Sequence, residues 1–79
     1  MASEEQINRL GFGTWADNLI ADFIENHRDT MVMGTGHISA EKTDGTMLRA
    51  EYGEGKANIV VRGYSSKTGW QTHERSLKL

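Results

Sequence analysis

The chain has 79 residues, a formal net charge of −2 and no cysteine. That length bounds it to one domain, and the missing cysteine excludes disulfides and thiolate metal sites. A chain this short buries only roughly 60% of the surface its unfolded form exposes, so self-association is an expected source of extra stability.

Charge distribution says more than net charge. Residues 1–39 place Glu4, Glu5, Asp17, Asp22, Glu25 and Asp29 against Arg9 and Arg28, whereas residues 40–79 hold seven bases against five acids. The first half is acidic and the second mildly basic. No run approaches the roughly 20 apolar residues of a membrane span. Met1 to Leu10 carries Glu4, Glu5, Gln6 and Arg9 and lacks an export signal's apolar core. The expectation is a protein of the cytoplasm with no membrane partner.

Residues 1–13 read as an N-terminal arm or short helix. Ser3 and Gln6 have capping-box spacing, Ile7 and Leu10 are its apolar residues, and Gly11 and Gly13 are expected to end it. Thr14 is then the expected N-cap of a main helix over 14–29, with Asp17 in the first turn, where negative charge suits the dipole. At about 100° per residue, Trp15, Ala16, Leu19, Ile20, Phe23, Ile24 and His27 fall on one side. Asn18, Asp22, Glu25 and Asp29 fall opposite, as an acidic strip facing water.

Residues 30–79 read as an antiparallel sheet. Strand one is expected over Thr30–Glu41, followed by a Lys42–Gly45 turn with the Asp-Gly hairpin signal. Strand two, Thr46–Tyr52, alternates Leu48, Ala50 and Tyr52 with Met47, Arg49 and Glu51. Gly53-Glu54-Gly55 turns the chain into strand three, Lys56–Tyr64. Ser65–Gly69 turns it again into strand four, from Trp70 to about Leu77. Short connections make sequential strands antiparallel neighbours. The expected fold is therefore α+β: one amphipathic helix packed on a three- or four-stranded antiparallel meander.

One helix covers one sheet face. Alternation assigns Met47, Arg49, Glu51, Asn58, Val60, Arg62 and Tyr64 to the other. Strand four adds either Trp70, Thr72 and Glu74 or His73 and Arg75, because one residue of slip exchanges the two sets.

Motifs for chemistry are few. Gly11-Phe12-Gly13 precedes a helix but lacks the strand and third glycine of a dinucleotide fingerprint and the Lys-Ser/Thr of a phosphate loop. His27, His37 and His73 lack metal-ligand spacing. No nucleophile, base and orienting group stand together. The expectation is a non-enzyme with no cofactor and no metal.

Binding surfaces carry the remaining argument. Arg49, Arg62, Tyr64, Trp70 and Arg75 are the candidate partner-binding residues of the sheet, with Asp22, Glu25 and Asp29 as the helical alternative. The sheet set suits bases and phosphates, but interleaved Glu51, Glu54 and Glu74 and an isoelectric point near 5.8 count against nucleic acid. Met31, Met33, Met47, Val60, Tyr64 and Trp70 offer more apolar surface than one helix covers, of types enriched at protein interfaces. A homodimer through the open face or an edge strand answers to the same surplus.

In format the chain resembles the small anti-CRISPR inhibitors of phages and mobile elements. The shared features are an isolated domain from Met1 to Leu79, no Cys and no catalytic motif, the acidic helix Trp15–Arg28, and the Gly-turned sheet Thr30–Leu77. The resemblance implies a stoichiometric viral inhibitor that occupies a surveillance complex, a protein assembly that handles nucleic acid, and blocks its access to target DNA. A type I complex is the implied partner, with subtype I-C a guess that no residue carries. A small nucleic-acid-binding domain and an oligomeric structural protein are the alternative readings.

Overall fold

The computed structural model describes residues 2–79; Met1 lies outside the described residues. Two helices, α1 (Ala2–Leu10) and α2 (Phe12–Met33), precede four strands: β1 (Gly36–Glu41), β2 (Met47–Gly53), β3 (Lys56–Ser65) and β4 (Gly69–Lys78). The strands form one antiparallel sheet in the order β1-β2-β3-β4. The fold is the expected α+β arrangement, a helical layer on one face of a four-stranded meander. The molecule measures 39 × 21 × 17 Å, and its thinnest dimension leaves room for those two layers only.

The helical layer differs from expectation at both ends. A single residue, Gly11, separates the helices. Its φ of 88° lies in the region that glycine enters without steric cost. Its N–H closes α1 on the Ile7 carbonyl at 2.8 Å, and its carbonyl accepts from the Trp15 N–H at 3.1 Å to open α2. Gly13 and Thr14 therefore lie inside α2, Gly11 takes the N-cap position expected of Thr14, and Asp17 lies beyond the first turn. Ser3 likewise sits within α1.

At the other end α2 continues through Thr30–Met33, which was expected to begin strand one. Ala16, Ile20, Phe23, His27 and Met31 keep three- and four-residue spacing down one face, and Met31 is fully buried. That burial outweighs the strand preference of Thr30 and Val32. Gly34, in extended conformation, ends the helix.

Trp15, Ala16, Ile20, Phe23 and Met31 of α2 and Ile7 of α1 pack against Leu48, Ala50, Ala57, Ile59 and Val61 of the sheet. Gly63 marks the closest approach. A methyl group there would stand 2.8 Å from the Trp15 ring and 3.0 Å from Phe12, so the indole lies on β3 where a side chain would otherwise stand. α1 crosses the turn end of the sheet. Asn8 accepts from Ser65 Oγ at 2.7 Å, and the Glu4 carboxylate accepts from the Ser66 N–H at 2.8 Å and from its hydroxyl.

Candidate functional site

The register fixes which side chains share the uncovered face. Tyr64 stands opposite Trp70, and Arg62 opposite Thr72. Arg49 lies between Ser39 and Val60, with Glu74 beyond. Met47, Arg49, Glu51, Asn58, Val60, Arg62 and Tyr64 thus share one face, and β4 adds Trp70, Thr72 and Glu74.

Arg49, Arg62, Tyr64 and Trp70 are accordingly brought together, but Arg75 is separated from them. A period of two from Trp70 sends Arg75 to the helical side, where its guanidinium meets Asp17 of α2 at 3.1 Å. His73, two residues earlier, reaches the same Asp17 oxygen through Nε2 at 2.8 Å. Arg75 serves to tie β4 to α2. Asp22, Glu25 and Asp29 are exposed on the outer side of α2, with the sheet between them and the open face. The eight candidate residues occupy three separate places.

The open face has two distinct ends. Near the β1–β2 and β3–β4 turns lies an aromatic–cation cluster. The Arg62 guanidinium carbon sits 4.3 Å from the Trp70 ring centroid, a cation–π contact. Tyr64 meets Trp70 at 5.2 Å and 58°, a favoured tilted arrangement. The Trp70 ring also overhangs Gly45, whose φ is 90° and where a methyl group would stand 2.8 Å from the indole. That glycine belongs to a tight hairpin. Its N–H donates to the Lys42 carbonyl at 3.0 Å, and the Lys42 N–H donates to Thr46 at 2.8 Å. The Asp44 carboxylate accepts from the Thr46 N–H at 2.9 Å. Trp70 is thus held from three directions yet remains half exposed, at 50%.

Toward the β2–β3 turn the face is an open trough of about 840 Å³, lined among others by His37, Arg49, Glu51, Asn58, Lys56 and Lys78. Asn58 donates to Glu74 at 2.7 Å and accepts from Ser76 at 2.8 Å. Arg49 and Glu51 pair at 3.7 Å with both side chains more than half exposed, which contributes little to stability. Four cations (Arg49, Lys56, Arg62, Lys78) and three anions (Glu41, Glu51, Glu74) share the face. It is mixed in charge rather than basic.

Three carboxylates are held below their ordinary ionisation range. The hydrogen bond from His73, with the Arg75 charge, lowers Asp17. The Ser66 hydroxyl and N–H lower Glu4, and the Thr46 N–H, with Ser3, lowers Asp44. Each fastens the helical layer or a turn, and none faces the trough. The three histidines lie apart. His27 stacks on Phe23 at 4.2 Å and bonds to its carbonyl at 3.0 Å, His73 binds Asp17, and His37 lies on the open side of β1. No group of three or more potential metal ligands occurs among the described residues, and no helix there is long and apolar enough to cross a membrane.

Sequence reasoning placed Asn58 on this face and left Glu74 to the undecided register of strand four, but it missed Gly45 as part of the surface. The Asp-Gly turn signal was visible, but that its glycine lies beneath Trp70 depends on hairpin curvature, which has no sequence signature. No protein-family profile, no curated protein and no solved structure matches the chain.

Proposed function

We propose that the protein is a non-catalytic binding protein that docks on a partner protein through the open face of its sheet, with Trp70, Tyr64 and Arg62 as the anchor and Arg49 beside them. The observation that carries this reading is Trp70, half exposed on a face with no covering layer and held by Arg62, Tyr64 and Gly45. A preorganised aromatic loses little conformational entropy on binding, and Trp, Tyr and Arg dominate interface hot spots. The format resemblance supplies the partner class. That class is a nucleic-acid-handling complex of the type I CRISPR surveillance kind, met in the host cytoplasm and blocked stoichiometrically.

The test is a tagged pull-down from host lysate, with and without nuclease, using the native chain and Trp70→Ala and Arg62→Glu variants whose folding is checked by circular dichroism. The expected result is one stoichiometric protein complex that survives nuclease and is lost in both variants. Undiminished capture by the folded variants would remove the open face from the reading.

The second reading is a single-stranded nucleic acid on the same face, favoured by an open four-stranded sheet that carries two aromatics and two arginines. Arg62 already occupies the Trp70 ring, and Glu51 and Glu74 stand among the cations, so protein is the better fit. A gel-shift titration separates the two, since affinity for phosphates falls steeply with salt.

A further inference from the structure

β1 is an edge strand of the sheet, paired with β2 alone. In an antiparallel ladder, alternate residues direct both backbone polar groups to one neighbour. Lys42 and Thr46 extend the β1–β2 register by one step, and the Lys42 N–H donates to Thr46. The even-numbered residues of β1 therefore bond to β2, while His37, Ser39 and Glu41 direct their N–H and C=O groups outward, away from the sheet. Among the described residues β1 carries one full charge, Glu41, where β4 carries several. Gly36–Glu41 contains no Pro and no Lys, features that normally discourage edge pairing. β4, the opposite edge, carries Glu74, Arg75 and Lys78. Beside β1, the end of α2 leaves Val32 and Met33 exposed, Met33 at 86%.

The geometry points to a symmetric dimer in which β1 pairs antiparallel with β1 of a second copy, Ser39 opposite Ser39 on the two-fold axis. In that register His37 of each copy stands opposite Glu41 of the other, twice by symmetry, and all outward residues from 37 to 41 find partners. The ladder gains about six backbone hydrogen bonds. Shifting the register by two residues loses both His–Glu pairs, and the match of the imidazole N–H donor to the carboxylate acceptor is what selects a second copy as occupant. On the helical side Ile38 meets Ala40 of the other copy. With the axis perpendicular to the sheet, the product is a continuous eight-stranded sheet whose two open faces point the same way and stay free. The inference therefore stands apart from the proposed function.

Sedimentation equilibrium over micromolar to millimolar concentration tests it. The native chain is expected to pass from 8.8 kDa to twice that mass. Ser39→Pro removes an outward N–H from each copy and leaves the β1–β2 ladder intact, so the dissociation constant should rise roughly tenfold to a hundredfold. Glu41→Arg should raise it about tenfold by replacing the acceptor opposite His37 with a donor, and His37→Glu combined with Glu41→Arg should restore it. The charge pair supplies the answer if the proline variant fails to fold. A monomer at every concentration, or a dimer indifferent to Glu41→Arg and its compensating change, would overturn the inference.

Discussion

Alternate residues of the same four strands build two faces that follow different rules. The covered face is Leu48, Ala50, Ala57, Ile59, Val61 and Gly63, sized to admit α2. The open face interleaves Arg, Glu, Asn and Thr with Met47, Val60, Tyr64 and Trp70. The two tryptophans show the contrast most directly. Trp15 is only 2% exposed against Gly63, whereas Trp70 is half exposed over Gly45. Each indole rests on a glycine, one inside the core and one on the surface. The comparison teaches that close aromatic packing alone does not identify a core; what lies on the ring's other side decides it.

Truncating the two rings should break the comparison most sharply. Trp15→Ala is expected to cost about 3–5 kcal/mol, most of the stability of a domain this size, and Gly63→Ala about 1–3 kcal/mol through overpacking. Trp70→Ala should cost less than about 1.5 kcal/mol while abolishing partner capture. Urea denaturation of the three variants reads the stability losses, and the pull-down reads the loss of capture. Equal losses at Trp15 and Trp70 would mean that the open face is part of the core.

Acid should separate the layers next. Asp17, Glu4 and Asp44 all ionise below their ordinary values, 3.8 for the aspartates and 4.5 for the glutamate. A carboxylate depressed in the folded state binds its proton more readily when unfolded. Its stabilisation is therefore present above the unfolded pKa and is lost as pH falls through the folded one. The urea midpoint should hold above that range and decline below it, and Asp17→Asn should flatten the decline. Because Asp17 fastens the helical layer whereas Asp44 closes the hairpin beneath Trp70, Asp44→Asn should disturb the indole fluorescence of a Trp15→Phe variant more than Asp17→Asn does.

Much of this architecture was legible in the sequence because its signals were local. Alternation in Leu48–Tyr52 and Ala57–Val61 assigned both faces of the two central strands correctly, and turn residues placed every hairpin within about a residue. Strand four was placed, but which of its residues face the helices was not legible. Its sequence from Trp70 to Leu77 has no clean alternation, and only pairing Tyr64 with Trp70 across the Ser65–Gly69 turn decides that Arg75 faces α2. The end of α2 was obscured by Thr30 and Val32, strand formers whose preference is overridden by a buried Met31 that sequence composition alone does not place. That Arg62 and Tyr64 share the open face was readable from strand parity, but that Trp70 joins them was decided only by its pairing with Tyr64. The capture of Arg75 and His73 by Asp17 spans more than fifty residues and depends on how α2 lies across β4.

The smallest expected effect concerns the hairpins at opposite ends of the open face. Gly45 and Glu54 both adopt positive φ, 90° and 55°, but only the first is a residue suited to it. Glu54 precedes Gly55, φ 75°, in a two-residue connection of the kind that requires positive φ at both positions and favours Asn-Gly. A glutamate there pays a steric cost that Asn or Gly largely avoids. Glu54→Asn should therefore stabilise the domain by up to about 1 kcal/mol and raise Tm by roughly 4–8 °C per kcal/mol. Gly45→Ala should do the reverse, since its methyl group enters both a strained backbone region and the Trp70 ring. A scanning calorimetry comparison reads both signs. A loss of stability in Glu54→Asn would show that the Glu54 carboxylate, in the same turn as Lys56, contributes more than its backbone strain costs, and the contrast between the two ends would then be electrostatic rather than conformational.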